Sequence, residues 1–410
     1  MEDYMKSSNY NIFYADNQLL FNSFSQCLLQ IPSSIYEILK NENFDELDVD
    51  TLNLFKNKKI ITESYEYERH QLECELNNAI HSHKNVNIVI SFTSACNLNC
   101  WYCIENARKN IDNNKFLNEE NWQKIKEAIV NEIINDETRN VDVVLYGGEP
   151  MLNKPMVLNV INDLRDIENE NLKMRLTLIS NGTLMDGADE ILKKIDNVQI
   201  TIDATKENHN YNRPYKNGNG TFDDIYNSLL KYAFLYSDKF ILRVNVTIED
   251  YEKVINFMSK LKNDGLNNVL KFISFCPIMD NKCKECRDVS IDAEECIYKL
   301  ELFAKQNGFK TSHLHEYGLC AAYNDSTLCV DENLNLYPCI GFMYDQAIGC
   351  IENGKIIKNK VNIKMSCNID DKCKFFPLCL GEGPCRKLCC KEYYEKFYPK
   401  YLMLEHNIQL

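Results

Sequence analysis

Residues 85–103 read "NVNIVISFTSACNLNCWYC". The first nine are rich in β-branched residues and predict a strand. The rest form a loop carrying Cys96, Cys100 and Cys103, spaced C-x3-C-x2-C. Three thiols suit a structural zinc site poorly, because such a site takes four ligands in two pairs. Iron–sulfur clusters are also held by cysteine thiolates. A four-iron cube on three cysteines leaves one iron open to a substrate or cofactor.

Outward from this stretch, apolar runs alternate with amphipathic segments. Strands are expected at "VDVVLYGG", "LKMRLTLISNG", "NVQITID", "KFILRVNVT" and "VLKFISFCP". Helices are expected at "NEENWQKIKEAIVNEIIN", "KPMVLNVINDLRDI", "FDDIYNSLLKYAFLY" and "DYEKVINFMSKLKN". This order implies parallel strands with crossover helices. The expected fold class is α/β, with a partial (β/α)6 TIM-like barrel over residues 86–277. Chemistry in such barrels gathers at the carboxyl ends of the strands. There lie the cysteine loop, Gly147-Gly148-Glu149-Pro150, Ser180-Asn181-Gly182 and Asp203. The paired glycines let backbone approach a small molecule closely, and Glu149 offers a carboxylate to a cationic amine. Alone, "GGEP" is a turn signal; beside the cysteine loop it gains weight.

A chain of 410 residues suggests two to three domains. No apolar run approaches the roughly 18 residues of a membrane span, so no membrane partner is expected. The amino terminus lacks the basic start and apolar core of a secretory signal, which makes the cytoplasm the expected location. A net charge of −14 argues against a nucleic-acid partner. Nineteen cysteines would suit a disulfide scaffold only in a small secreted protein. In a reducing compartment, clustered thiols bind metal. The isolated Cys27, Cys74 and Cys296 are expected as buried packing residues.

Residues 1–85 combine short strands ("YNIFYADNQLLFNSFSQCLLQI"), a helix ("PSSIYEILKN") and a helix running into a strand ("DVDTLNLFKNKKIITES"). This suggests a winged-helix-like module. Its acidic and Asn-rich composition weakens a DNA-binding reading. An open strand edge would capture an extended peptide by β-addition; simple packing on the next domain is the alternative. Residues 278–315 form a bridging region with the helix "SIDAEECIYKLELFAKQ". Residues 316–410 hold ten cysteines, enough for two further clusters, with a zinc ribbon as the alternative. Cys276, Cys283 and Cys286 fit a half zinc site, a redox pair, substrate-proximal thiols or surface thiols, and stay unassigned.

In this order, "CNLNCWYC", "GGEP" and "ISNG" resemble the radical S-adenosylmethionine (SAM) enzymes over roughly residues 86–277. The resemblance implies that Cys96, Cys100 and Cys103 bind a [4Fe–4S] cluster whose open iron chelates SAM. Glu149, Gly147 and Gly148, followed by Pro150, would hold the methionine amine. Tyr102 would lie against the adenine, and Ser180, Asn181, Thr201 and Asp203 along the ribose and methionine. "HNYNR" (209–213) matches an H-x3-R pattern that pairs Arg213 with the SAM carboxylate; a structural surface arginine is the alternative. One-electron cleavage of SAM would give a 5′-deoxyadenosyl radical that abstracts hydrogen from an unactivated C–H bond, chemistry that belongs to the cofactor. No general base stands out.

"YPC" (337–339) and "CKFFPLCLGEGPC" (373–385) resemble the SPASM extension of these enzymes, which usually carries two auxiliary [4Fe–4S] clusters and so implies three in all. Family order assigns Cys320, Cys329, Cys339 and Cys385 to the nearer one. Cys373, Cys379, one of Cys389 and Cys390, and a fourth ligand would hold the farther one. The usual cysteine at position 370 is Asp370 here, so either Asp370 ligates through oxygen or Cys367 replaces it. SPASM enzymes mostly modify peptides, and many carry a winged-helix-like leader-binding domain. A precursor peptide with a leader, and a reducing protein such as flavodoxin or ferredoxin, are the implied partners. The implied product is a crosslink such as a thioether. Formylglycine formation by an anaerobic sulfatase-maturating enzyme is the runner-up, although those relatives usually begin near the radical core. A non-enzymatic iron–sulfur protein is the reading from another class, but a carrier needs no SAM pocket.

Overall fold

The computed structural model describes residues 5–14, 18–105, 115–278, 291–311, 319–359, 367, 373–381 and 391–406. The chain divides into two compact units. One joins Met1–His81, His315–Asn324 and Ile363–Leu410; the other joins Ser82–Leu314 and Asp325–Asn362. The expected 316–410 segment therefore contributes to both.

In the smaller unit, β1 (Lys6–Ser7) pairs with β5 (Ile61–Thr62), and β2 (Asn11–Tyr14), β3 (Leu19–Asn22) and β4 (Cys27–Gln30) form an antiparallel meander. Between β4 and β5 lie α1 (Ser33–Asn41) and α2 (Val49–Asn57); α3 (Tyr65–His81) follows. The Asp48 side chain caps α2 by accepting from the Thr51 N–H. Successive residues of a strand face opposite ways, so Leu20 and Phe21 enter different cores. Leu20 packs with Ile31, Leu39 and Phe55. Phe21 packs with Ile12, Phe375 and Tyr398. Cys74 is exposed rather than buried, with its sulfur 3.8 Å from His70 Nδ1. Its helix is polar nearly all round, which leaves little core for a thiol to enter.

The larger unit is built on a ten-stranded sheet. Its parallel strands are β6 (Asn85–Ser91), β7 (Asn140–Tyr146), β8 (Lys173–Ser180), β9 (Asn197–Thr201), β10 (Phe240–Val246) and β11 (Phe272–Pro277). The crossovers carry α4 (Glu119–Ala128), α5 (Lys154–Ile167), α6 (Asp189–Lys194), α7 (Lys206–Asn212), α8 (Phe222–Leu235) and α9 (Tyr251–Asn263), and α10 (Ile291–Gln306) follows β11. This is the expected α/β architecture. Val86, Ile88 and Ile90 of β6, with Val141, Val143 and Leu145 of β7, turn one face into the helix-covered core. Each such fully buried side chain contributes about 1.5–3 kcal/mol. Asn87, Val89, Asp142 and Val144 alternate with them on the other face.

Two features depart from expectation. The helix expected over 118–135 stays α-helical only to Ala128 and finishes in a π turn, Ile129–Ile133. The sheet also continues past β6. There β12 (Thr327–Val330) adds in parallel, placing Cys329 beside Val89, and β13 (Asn335–Leu336), β14 (Gly349–Glu352) and β15 (Lys355–Lys358) follow antiparallel. In the smaller unit, α11 (Phe376–Cys379) and α12 (Lys391–His406) complete the described elements. Among the described residues, no helix is long and apolar enough to cross a membrane.

Candidate active site

The loop after β6 is held between two neighbours. On one side, Gly148 N donates to Thr93 O and Glu149 N to Ala95 O, both at 2.8 Å. A Cβ on Gly147 would lie 2.5 Å from Thr93 O, and one on Gly148 would strike the Ala95 and Ser94 carbonyl oxygens. The glycines therefore let one loop lie backbone-to-backbone on another. On the other side, Asn99 N donates to Pro214 O, Trp101 N to Asn212 O and Lys216 N to Asn97 O. Trp101 Nε1 adds a bond to Asn212 Oδ1 at 2.7 Å.

Glu149 is fully buried. Its Oε1 accepts from Met151 N at 3.0 Å and Ser180 Oγ at 2.9 Å, and its Oε2 accepts from Asn181 N at 2.6 Å. A carboxylate has about four lone-pair sites. Three are filled, so one direction remains for a cationic amine. Burial raises the Glu149 carboxyl above the usual range, against these hydrogen bonds and the Arg213 charge. Pro150 is buried and opens a 3-10 turn to Asn153.

A second polar knot sits at the ends of β9 and β10. Tyr102 Oη donates to Asp203 Oδ2 at 2.5 Å and accepts from Arg213 Nη1 at 2.9 Å and Asn245 Nδ2 at 3.0 Å. Asp203 and Arg213 are both buried, and burial raises the Asp203 carboxyl against the pull of Arg213. Arg213 therefore does not lie on the surface. Arg213 Nε is buried and meets no acceptor, an unused donor in the expected SAM region. The H-x3-R spacing has a local cause: Asp203 N donates to His209 Nδ1, so Nε2 carries the proton toward Thr221 Oγ1, and Thr221 donates to Arg213 O. Thr201 ends β9 beside Arg243. Sequence reasoning missed Asn245; its signal is the inward polar face of "FILRVNV", where Arg243 and Asn245 alternate with core residues.

Cys96, Cys100 and Cys103 lie close enough that each thiol's charge is felt at Cys96. Burial first, then Glu149 and the other two thiols, push Cys96 up to about 12. Leu98 N donates to Cys96 Sγ at 3.4 Å, and Asn181 Nδ2 lies 3.7 Å from it. Three thiols in one low-dielectric pocket ionise only against strong compensating positive charge, which a bound cluster supplies. Among the described residues, no three Cys, His, Asp or Glu side chains close around a single ion. A cube, which seats each cysteine on its own iron, suits a set of three thiolates with no fourth protein ligand among the described residues.

The remaining candidate ligands divide between the two units. Cys329 is buried on β12, and burial, then the neighbouring Cys339 and Asp331, raise its thiol well above the usual range. Cys320, Cys367, Cys373 and Cys379 lie in the smaller unit. Asp370, Cys385, Cys389 and Cys390, with Cys283 and Cys286, lie outside the described residues. Cys276 sits near the carboxyl end of β11, beside Asn245. A buried carboxylate unnoticed in the sequence is Glu332, at the carboxyl end of β12. It accepts from Tyr344 Oη at 2.8 Å, and Tyr344 in turn meets Ser91 Oγ. Burial, with Asp331 and Glu105 adding to it, lifts Glu332 to about 7.

Comparison with known proteins agrees with this geometry. Residues 90–257 match the family model of the Radical SAM superfamily. A cysteine-type anaerobic sulfatase-maturating enzyme of Clostridium novyi (strain NT) is 26% identical over 336 residues, 72% of this chain and 86% of that relative. A GTP 3′,8-cyclase of Clostridium perfringens (strain SM101 / Type A) is 28% identical over 206 residues, 47% of this chain and 56% of that one. In fold, the chain is similar to native anSMEcpe with bound AdoMet and Cp18Cys peptide. That match has a TM-score of 0.59 and 20% identity and covers 79% of this chain and 100% of that one. The chain carries a domain of the radical SAM superfamily, an enzyme family that works with SAM and a [4Fe–4S] cluster.

Proposed function

We propose that the chain is a peptide maturase that abstracts hydrogen from a precursor peptide and forms a crosslink such as a thioether. One observation carries the cofactor half: Cys96, Tyr102, Glu149, Asn181, Asp203 and Arg213 meet at the carboxyl ends of the parallel strands. When bound, SAM and the cluster supply a one-electron cleavage that ends in hydrogen abstraction from carbon. Cys96, Cys100 and Cys103 would hold the cluster. Glu149 would present its remaining lone pair to the methionine amine, with Gly147, Gly148 and Pro150 fixing the loop. Arg213 Nε would meet the SAM carboxylate. Tyr102 would wall the site and hold Arg213 and Asp203 in place, with Ser180, Asn181 and Thr201 lining it.

Support for a peptide substrate comes from relatives named as a sulfatase-maturating enzyme and as a peptide-bound structure. The same relatives favour formylglycine formation equally. The module of β1–β5 and α1–α3 supports a leader peptide by its size and its order of elements, which resemble a leader-binding domain. Two auxiliary clusters, one at Cys320, Cys329, Cys339 and Cys385, belong to the same proposal, as do the four segments 1–85, 86–277, 278–315 and 316–410 and a flavodoxin- or ferredoxin-type donor.

The test is anaerobic reconstitution with iron counting and a 5′-deoxyadenosine assay, wild type beside a Cys96/Cys100/Cys103→Ala variant. Expected are near twelve irons, about four fewer in the variant, and dithionite-dependent 5′-deoxyadenosine only from wild type. Zinc in place of iron, or no SAM cleavage, would sink the reading. Mass spectrometry of a modified peptide then separates the products: a crosslink removes two hydrogens and keeps sulfur, whereas formylglycine from cysteine loses it.

A further inference from the structure

The smaller unit holds an arrangement that SAM cleavage does not use. The turn from Cys373 to Cys379 is built on β2 and β3. Ser23 Oγ donates to Lys374 O, and Lys374 Nζ donates to Asn11 O at 2.9 Å. Phe375 stacks on Tyr394 at 5.5 Å and joins the core of Ile12 and Phe21. Phe376 joins a different core, with Tyr10, Phe24 and Leu72. Cys373 and Cys379 border the first core, and Cys367 and Cys373 border the second. Three half-buried thiols from the carboxyl end of the chain therefore rest on aromatic and aliphatic residues from the amino end.

A four-residue helix such as α11 is too short to be stable alone. The loop that presents these thiols draws its order from whatever it packs against. A cluster there would close the loop through its thiolates, and the segments around β2, β3 and α3 close it through Tyr10, Phe21, Phe24 and Leu72. We infer that the amino-terminal module is the protein wall of an iron–sulfur site at Cys367, Cys373 and Cys379, so that the module and the cluster order each other. This rests on the iron–sulfur reading above. It makes the module that would read a peptide and the cluster that would take up an electron one cooperative unit, rather than a reader appended to an enzyme.

The experiment is anaerobic hydrogen exchange by mass spectrometry on reconstituted full-length protein, with iron counted in the same samples. Wild type is compared with Cys373→Ser/Cys379→Ser and with Cys96→Ser/Cys100→Ser/Cys103→Ser. Each variant should lose about four irons. Only the first should speed exchange over residues 5–81, by at least about tenfold, as a local unit loses its support. Equal iron loss with unchanged exchange over 5–81 overturns the inference, and so does full iron retention in the Cys373/Cys379 variant. If that variant exchanges faster throughout the chain, Phe21→Ala decides, since it keeps every thiol. It should lose iron equivalent to one cluster, and full retention overturns the inference. Dithionite-dependent 5′-deoxyadenosine in wild type reports separately on the radical SAM reading.

Discussion

The N–H of Asn181 donates to Glu149 Oε2 at 2.6 Å, inside a pocket that excludes solvent from the carboxylate. That bond ties the loop after β8 to the loop after β7, and Asn181 reaches on to Cys96. Glu149 therefore ties down the Cys96 loop indirectly, and under the proposed function it would also offer a lone pair to the methionine amine.

Glu149→Gln should separate these roles. The amide keeps one acceptor oxygen and sets an NH2 against a donor, so some loop order survives while the charge for the amine is gone. Iron content after reconstitution should stay near wild type, and SAM affinity should fall at least about tenfold, the loss expected for a charged hydrogen bond of 1.5–3 kcal/mol. Equilibrium dialysis with labelled SAM measures it; unchanged affinity would remove Glu149 from the amine site.

Gly148→Ala should fail earlier. Its Cβ has no room against the Ser94 and Ala95 carbonyls, and backbone cannot swing aside as a side chain can. The loop bearing Cys96 must move, at a cost of about 1–3 kcal/mol for overpacking. A lower melting temperature of the apo-protein together with incomplete SAM-cluster loading is the expected pair of results. Normal loading and melting would mean that the loops are not packed as described.

The site was legible in the sequence where chemistry and spacing coincide. "CNLNCWYC" and "GGEP" needed only the rule that chemistry follows the strands, and β6 and β7 place them side by side. What stayed hidden depends on partners far apart in sequence. Nothing near Tyr102 announces that its hydroxyl bridges Asp203, Arg213 and Asn245. Nothing in "TLCVDEN" announces that Thr327–Val330 joins β6 and that Glu332 is buried against Tyr344. Short strands give little periodicity to read, and a carboxylate's environment is set by residues folded onto it.

His209 should make the protein acid-sensitive. Burial first, then the charge of Arg213, lower its pKa to about 2, against about 6.5 when unfolded. Between those values only the unfolded chain binds the proton, so stability falls as pH drops below 6.5, by about 1.4 kcal/mol per unit. His209→Gln should be less stable at pH 7, having lost the paired bonds to Asp203 N and Thr221, but its stability should decline less steeply from pH 6.5 to 5. Denaturant unfolding at several pH values checks this. Parallel curves for the two proteins would show that His209 is protonated in the folded state.

Glu301 should act in the opposite direction. It lies on α10 with no exposed surface, and neither carboxylate oxygen meets a hydrogen-bond donor. Burial lifts its pKa to about 8, with Glu294 adding to the rise and Lys305 opposing it. The folded state then holds a proton that the unfolded chain has released, so stability falls as pH rises from about 4.5 toward 8 and levels off above that. Glu301→Gln keeps the shape and removes the titration. The variant should match wild type near pH 5 and exceed it at pH 8 by a few kcal/mol at most, the ceiling set by a shift of this size at 1.36 kcal/mol per unit. Paired denaturation curves at the two pH values give the answer. A variant no more stable at pH 8 than wild type would mean that the carboxylate finds a counter-charge when it ionises.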